Sequence, residues 1–162
     1  MSSRPSVSAP RNTDDAKARR GRSLHVLLVE DSPTDAMMIG EIFAEADVRN
    51  GLHVVEDGMQ ALQFLRREAP FHEAPRPDLI LLDLQLPCKN GQEVLAEIKA
   101  DERLRSIPVV VLSSSRDERD IAGAYRAFAN SYVAKPIDYE DFADAVRLIE
   151  RFWLGLATRA ED

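Results

Sequence analysis

One cysteine, Cys88, stands in 162 residues. No internal disulfide can therefore staple the chain, and a reducing cytoplasm is the simplest setting. Long apolar runs are missing too. The longest, such as Leu79–Leu82 and Val109–Leu112, fall far short of the roughly 20 residues that span a bilayer, so no membrane segment is expected. No apolar stretch near the N-terminus would serve as a secretory signal. Histidine is scarce, and His25, His53 and His72 show no ligand spacing, which argues against a zinc site or a phosphorelay histidine domain. Positive charge is short everywhere except at the start. Residues 1–22 hold six Lys/Arg against two Asp/Glu, whereas the remainder holds 15 against 26. So acidic a body is not expected to bind nucleic acid.

Apolar residues make up 44% of the chain, enough for one core in one domain of ordinary size. Residues 1–22 have no apolar period and read as a flexible N-terminal arm. From there short apolar runs alternate with helix-period segments. Leu24–Val29, Leu52–Val55, Leu79–Leu82, Pro108–Leu112 and Ser131–Ala134 read as strands. Between them lie helices that begin at Pro33, after a cap at Asp57, at Gly91 and at Ser115, and a last one runs from about Asp138 to Leu156. The proline-rich stretch 68–77 reads as a loop. Five strand-then-helix repeats imply an α/β fold, a doubly wound (βα)5 flavodoxin-like parallel sheet. The expected strand order is 2-1-3-4-5. The domain is placed at 23–157 and a C-terminal tail at 158–162.

Such sheets bind ligands at the carboxyl ends of their strands. The residues there are Glu30 and Asp31 after the first strand, Asp83 after the third, Ser113 after the fourth and Lys135 after the fifth. Three clustered carboxylates repel one another and raise each other's pKa. A hard divalent cation resolves the conflict, and Mg²⁺ favours a few carboxylates plus waters and a phosphate. Such an ion lets a phosphoryl group approach a carboxylate nucleophile. Lys135 and Ser113 would then offer charge and a hydrogen bond to the phosphoryl oxygens.

With Val29-Glu30-Asp31, the run Leu81–Pro87 with Gly91, Val111-Leu112-Ser113 and Tyr132–Pro136, the chain resembles a response-regulator receiver domain from about Leu24 to Leu156. The resemblance implies that Asp83 is the phosphoacceptor. Asp31 would be a direct Mg²⁺ ligand, Glu30 one acting through water, and the Gln85 main-chain carbonyl the third protein ligand. Ser113 and Lys135 would sense the phosphoryl group, and Tyr132 would be the aromatic switch that turns inward when Ser113 moves. The Lys135–Pro136 bond is expected to be cis. Gln85 and Ser115 occupy positions that tune acyl-phosphate lifetime in this family. The proline-rich loop, Ser113–Arg116, Ala129–Tyr132 and the Phe152-Trp153 pair are similar to regulators serving phytochrome-type histidine kinases. The implied partners are a histidine kinase and a downstream protein target or phosphotransfer protein, since no output domain is expected after the last helix.

Two other chemistries fit less well. A haloacid-dehalogenase-type phosphohydrolase needs an Asp two residues past its nucleophile, where Gln85 stands. A flavodoxin-like cofactor binder needs a Ser/Thr/Gly phosphate cradle after the first strand, where Glu30-Asp31 would repel phosphate. A receiver that binds partners without phosphorylation would have no use for the full acidic set. Cys88 is expected to be a semi-buried small residue. In the last helix Phe142, Val146, Ile149, Trp153 and Leu156 form a core stripe, with Ala145, Leu148 and Phe152 beside it. Together they span an arc of roughly 160°, wider than the ~100° a surface helix needs. A homodimer using Leu148, Phe152 and Trp153 would cover the surplus; the alternative is that the extra residues pack on the protein's own fourth helix.

Overall fold

The computed structural model describes residues 24–46 and 50–156. The arm at 1–22 and the tail at 158–162 lie outside the described residues. Five strands, β1 (Leu24–Val29), β2 (Asn50–Val55), β3 (Leu79–Leu82), β4 (Val109–Ser113) and β5 (Ser131–Ala134), pair in parallel in the order β2-β1-β3-β4-β5. The expected doubly wound sheet is the one observed. Strand β2 starts two residues earlier than expected, because Asn50 and Gly51 align with Leu24 and His25 of β1.

The helices are α1 (Pro33–Glu45), α2 (Gly58–Arg66), α3 (Gly91–Ala100), α4 (Glu118–Arg126) and α5 (Tyr139–Glu150). Each begins at a side-chain cap: Ser32, Asp57, Asn90, Asp117 and Asp138 accept main-chain N–H groups of the first turn, which satisfies otherwise orphaned donors. Helix α4 starts later than Ser115 because Ser115 is engaged in the preceding loop. Its N–H donates to Ser113 Oγ at 3.3 Å, and its Oγ bonds Asp120 Oδ2 at 2.5 Å.

The strands are apolar on both faces because both are covered. Leu27, Val29, Ile80, Leu82, Val109 and Val111 face α2 and α3. Their neighbours Val26, Leu28, Leu79, Leu81, Val110 and Leu112 face α1 and α5. Period-two alternation thus divides single apolar runs between two core layers.

Past Glu150 the last helix widens into a π-helical segment, Arg151–Leu156. The wider turn shifts the inward face. Leu154 is buried, Trp153 is half-buried, and the Leu156 side chain lies outside what is described. Of the expected stripe, Phe142, Val146 and Ile149 are buried and Trp153 packs half-buried against the same core, which Leu154 joins unexpectedly. Leu148 and Phe152 are exposed.

Two glycines bring the loops against the carboxyl-end edge of the sheet. A Cβ on Gly91 would lie 2.2 Å from the Asp83 carbonyl oxygen, and one on Gly58 would lie 2.1 Å from that of Lys89. Only a residue with no side chain lets α3 start against the segment that follows β3.

Candidate functional site

The strand ends deliver the expected residues to one place. Asp83 follows β3, and its N–H donates to the Val29 carbonyl at 3.1 Å, which locks the end of β3 to that of β1. Glu30 N–H donates to the Val55 carbonyl at 3.0 Å. Carboxylate oxygens of Glu30, Asp31 and Asp83 lie within 4.8 Å of one another. Glu30 and Asp83 are buried at 2% and 6% exposure, while Asp31 faces solvent.

Lys135 crosses from β5 to bind this cluster. Its Nζ donates to Glu30 Oε2 at 2.7 Å, Asp35 Oδ2 at 2.9 Å and Asp83 Oδ2 at 3.2 Å. Asp35 was not among the residues expected here. In sequence it reads as an acidic residue in the first turn of α1, which the helix dipole alone would explain. Four carboxylates against one ammonium leave the pocket negative. Burial, above all, pushes the Glu30 carboxyl up to about 7; the Asp83 charge adds to this and the Lys135 bond opposes it. Burial by itself would lower the Lys135 ammonium, but the bonds to Glu30 and Asp35 and the charges of Glu30 and Asp83 carry it above the ordinary lysine value.

The excess charge and the carboxylate held partly protonated are what a divalent cation would relieve. The donor set is all oxygen, with Asp31 open to water, which suits a hard ion. The Gln85 N–H donates to Asp83 Oδ1 at 3.0 Å, so the main chain there turns back over the carboxylate. The Gln85 side chain is exposed and accepts from Ser114 Oγ at 3.3 Å.

Ser113 is fully buried at the end of β4, and its carbonyl accepts from Lys135 N at 2.8 Å. Tyr132 is half-buried. Its hydroxyl donates to the Ser115 carbonyl at 2.8 Å, so the ring is tied to the loop that follows Ser113. Arg116, marked in sequence only as part of the Ser113–Arg116 segment, donates through Nη2 to the Lys135 carbonyl at 3.2 Å. It links that same loop to the end of β5.

Two expectations are corrected. The Lys135–Pro136 bond is trans; the cis bond among the described residues is Ala69–Pro70. Trans is the lower-energy isomer of an X–Pro bond by about 0.5–1 kcal/mol, and with it Lys135 already reaches three carboxylates. Cys88 is exposed rather than semi-buried, at a φ of 66° in the loop after β3. That backbone conformation turns the loop outward ahead of α3.

Comparison with known proteins agrees with this geometry. The family model described as the response regulator receiver domain matches residues 26–147. Response regulator Rcp1 of Synechocystis sp. is 42% identical over 133 residues, covering 82% of this chain and 90% of that protein. The Mn²⁺-bound form of Rcp1 superposes with a TM-score of 0.83 at 40% identity, covering 85% of this chain and 99% of that one. The phosphorylated cyanobacterial phytochrome response regulator RcpA superposes at 0.84 with 45% identity, covering 86% and 100%. Among the described residues, no helix is long and apolar enough to cross a membrane.

Proposed function

Because this chain belongs to the response regulator receiver domains of two-component systems, we propose that it is a cytoplasmic switch thrown by phosphorylation of Asp83. The donor would be a histidine kinase, and the similarity to phytochrome-associated regulators favours a phytochrome-type one. The observation that carries the reading is the Lys135 ammonium, held within 3.2 Å of Asp83 and also bonded to Glu30 and Asp35.

Asp31, Asp83 and the Gln85 carbonyl would hold Mg²⁺ directly, with Glu30 acting through water. The ion would neutralise charge between the carboxylate and the incoming phosphoryl group. An Asp83 oxygen forms the new P–O bond as the P–N bond to the kinase imidazole breaks, and the imidazole leaves with that electron pair. Lys135 is placed to bind a phosphoryl oxygen, and the Ser113 hydroxyl to bind another. Ser113 drawn inward pulls on the loop through Ser115, where the Tyr132 hydroxyl is anchored, so the ring is drawn in with the loop. Output then passes by contact to a protein target or a phosphotransfer protein. Acetyl phosphate or beryllofluoride should modify the wild type only with Mg²⁺ present. Asp83→Asn, folded but unlabelled, is the expected result, because an amide is a poor nucleophile. Labelling of that variant at the wild-type level would remove the assignment.

The same reading includes a homodimer through the last helix. Leu148 and Phe152 are 64% and 52% exposed, and Phe152 meets Trp153 edge-on at 5.2 Å between ring centres. A second copy, joined across a two-fold axis, is the occupant that fits such a self-facing apolar strip. Light scattering on Phe152→Asp is expected to report a monomer with an intact fold. A wild type that stays monomeric at high concentration, with and without beryllofluoride, would remove the dimer.

A further inference from the structure

The edge of the sheet opposite Asp83 carries a cavity of about 460 Å³, within the roughly 300–1,000 Å³ usual for small-molecule sites. It opens where α2 ends and where the chain enters β3 and β4. Arg66, Arg67, Arg76 and Arg103 line it, together with Asp101 and an apolar wall that includes Leu104. Four guanidiniums gathered at one point are out of keeping with a body of 15 Lys/Arg and 26 Asp/Glu beyond residue 22.

Their states differ in an informative way. Arg76 is structural: it donates to the Arg103 carbonyl and, at 3.0 Å, to Ser106 Oγ, pinning the entry to β3 against the entry to β4. Arg66 lies 3.7 Å from Glu97. The guanidiniums of Arg67 and Arg103 have no hydrogen-bond or ion-pair partner among the described residues. Arg67 also sits at a φ of 54°, in the left-handed cap of α2. Glycine makes that turn without steric cost, so a helix cap alone does not account for an arginine there. A strained residue with a free charge in the lining of a cavity points to use of the side chain.

We propose that this cavity is a second ligand site, for a phosphorylated nucleoside. Free guanidinium forks match phosphate oxygens in pairs. Asp101 uses Oδ1 to accept the Arg103 N–H, which leaves its other oxygen for sugar hydroxyls. A carboxylate in that place would repel a bare phosphate and so selects for a ligand that also donates hydrogen bonds. Leu65, Leu104 and Ile107, at most 9% exposed, form an apolar floor on which the edge of a base would rest. The site shares no residue with the Asp83 cluster and does not depend on how that cluster is read.

Calorimetric titration of the full chain in EDTA, with ATP and GTP separately, tests this. Inorganic pyrophosphate and polyglutamate serve as comparison probes. One nucleotide should saturate a single site, and both comparison probes should bind more weakly. Arg67→Gly and Arg103→Gln should each weaken it about tenfold, the loss expected of a charge-assisted bond. Arg67→Gly should at the same time hold or raise the urea midpoint, and both variants should still take beryllofluoride on Asp83 as the wild type does. The proposal is overturned if neither nucleotide binds below about 1 mM, if pyrophosphate or polyglutamate binds as tightly as the better nucleotide, or if Arg67→Gly leaves affinity unchanged.

Discussion

The β1–β3 side of the molecule and the α4–β5 side are held together by different forces. On the first side, β3 is buried along its whole length, and α3 buries Gly91, Val94, Leu95 and Ile98. On the second, every residue of β5 is only half-buried and α4 buries Ala124 alone. What joins α4 and β5 is polar. The Tyr132 N–H donates to the Tyr125 hydroxyl at 3.0 Å and the Tyr132 hydroxyl to Ser115 in the loop before α4, while Gln92 Nε2 of α3 holds α4 through the Asp120 carbonyl at 3.1 Å. Close packing admits one arrangement. Half-exposed hydrogen bonds exchange with water at a net cost of only about 0.5–1.5 kcal/mol each, so the second side rearranges cheaply while the first does not. The site lies across the seam: Glu30 and Asp83 belong to the rigid side, Lys135 and Tyr132 to the adaptable one. Opening between such sides, rather than bending within either, is how local binding energy becomes a change of shape.

The largest effect should come from weakening the rigid side. Ile80 is fully buried in the middle of the sheet, so Ile80→Ala removes apolar contacts and leaves a cavity worth about 2–5 kcal/mol. Tyr125, 49% exposed, should cost no more than about 1.5 kcal/mol as Tyr125→Phe, since a single half-exposed hydrogen bond is lost. Urea unfolding of both variants measures the contrast. Equal losses would mean that the two sides are not mechanically distinct.

Much of this arrangement was legible from the chain because it rests on local rules. Runs such as Leu79–Leu82 mark strands buried on both faces, and the residue after each strand lands at one edge of a parallel sheet. Glu30, Asp31, Asp83, Ser113 and Lys135 could therefore be brought together before any coordinates. Asp35 could not, because its role depends on how far the Lys135 side chain reaches across the sheet. Leu154 was hidden by a change of helical period, since no 3.6-residue pattern anticipates a π-helical turn. The arginine cavity escaped for a similar reason: Arg66 ends α2, whereas Arg76 and Arg103 come from two separate connections. His25 and His53 show no ligand spacing in sequence, yet parallel pairing of β1 with β2 sets His25 Nδ1 3.2 Å from His53 Nε2.

A smaller effect is expected at the anchor between the sides. The Tyr132 hydroxyl holds the Ser115 carbonyl, and with it the loop between Ser113 and α4. Tyr132→Phe keeps the ring but frees that loop, at a cost of about 0.5–1.5 kcal/mol. Amide exchange at Ser114–Asp117 should quicken, whereas β1 and β3 should exchange as in the wild type. If protection fell across β1 and β3 to the same degree, the hydroxyl would be part of the global fold rather than a latch on one side of it.

The smallest effect tests how acid acts on the rigid side. The His53 ring packs 5.4 Å from His25 and 5.3 Å from Phe64, centre to centre. Burial, and then the neighbouring His25, lower its pKa from the ordinary 6.5. Just below pH 6.5 the unfolded chain therefore binds a proton that folded His53 does not. Stability attributable to this group is complete above that pH and is lost as the pH falls toward the lowered folded value. At 3.2 Å the facing nitrogens of His25 and His53 share one hydrogen bond across β1 and β2, so acid acting on His53 is felt at both strands. His53→Gln should flatten the decline in urea midpoint between about pH 6.5 and 5. The wild type should gain its extra acid-side exchange along β1 and β2, with none along β5. The opposite pattern, with β5 loosening first, would place the acid-sensitive charge on the adaptable side.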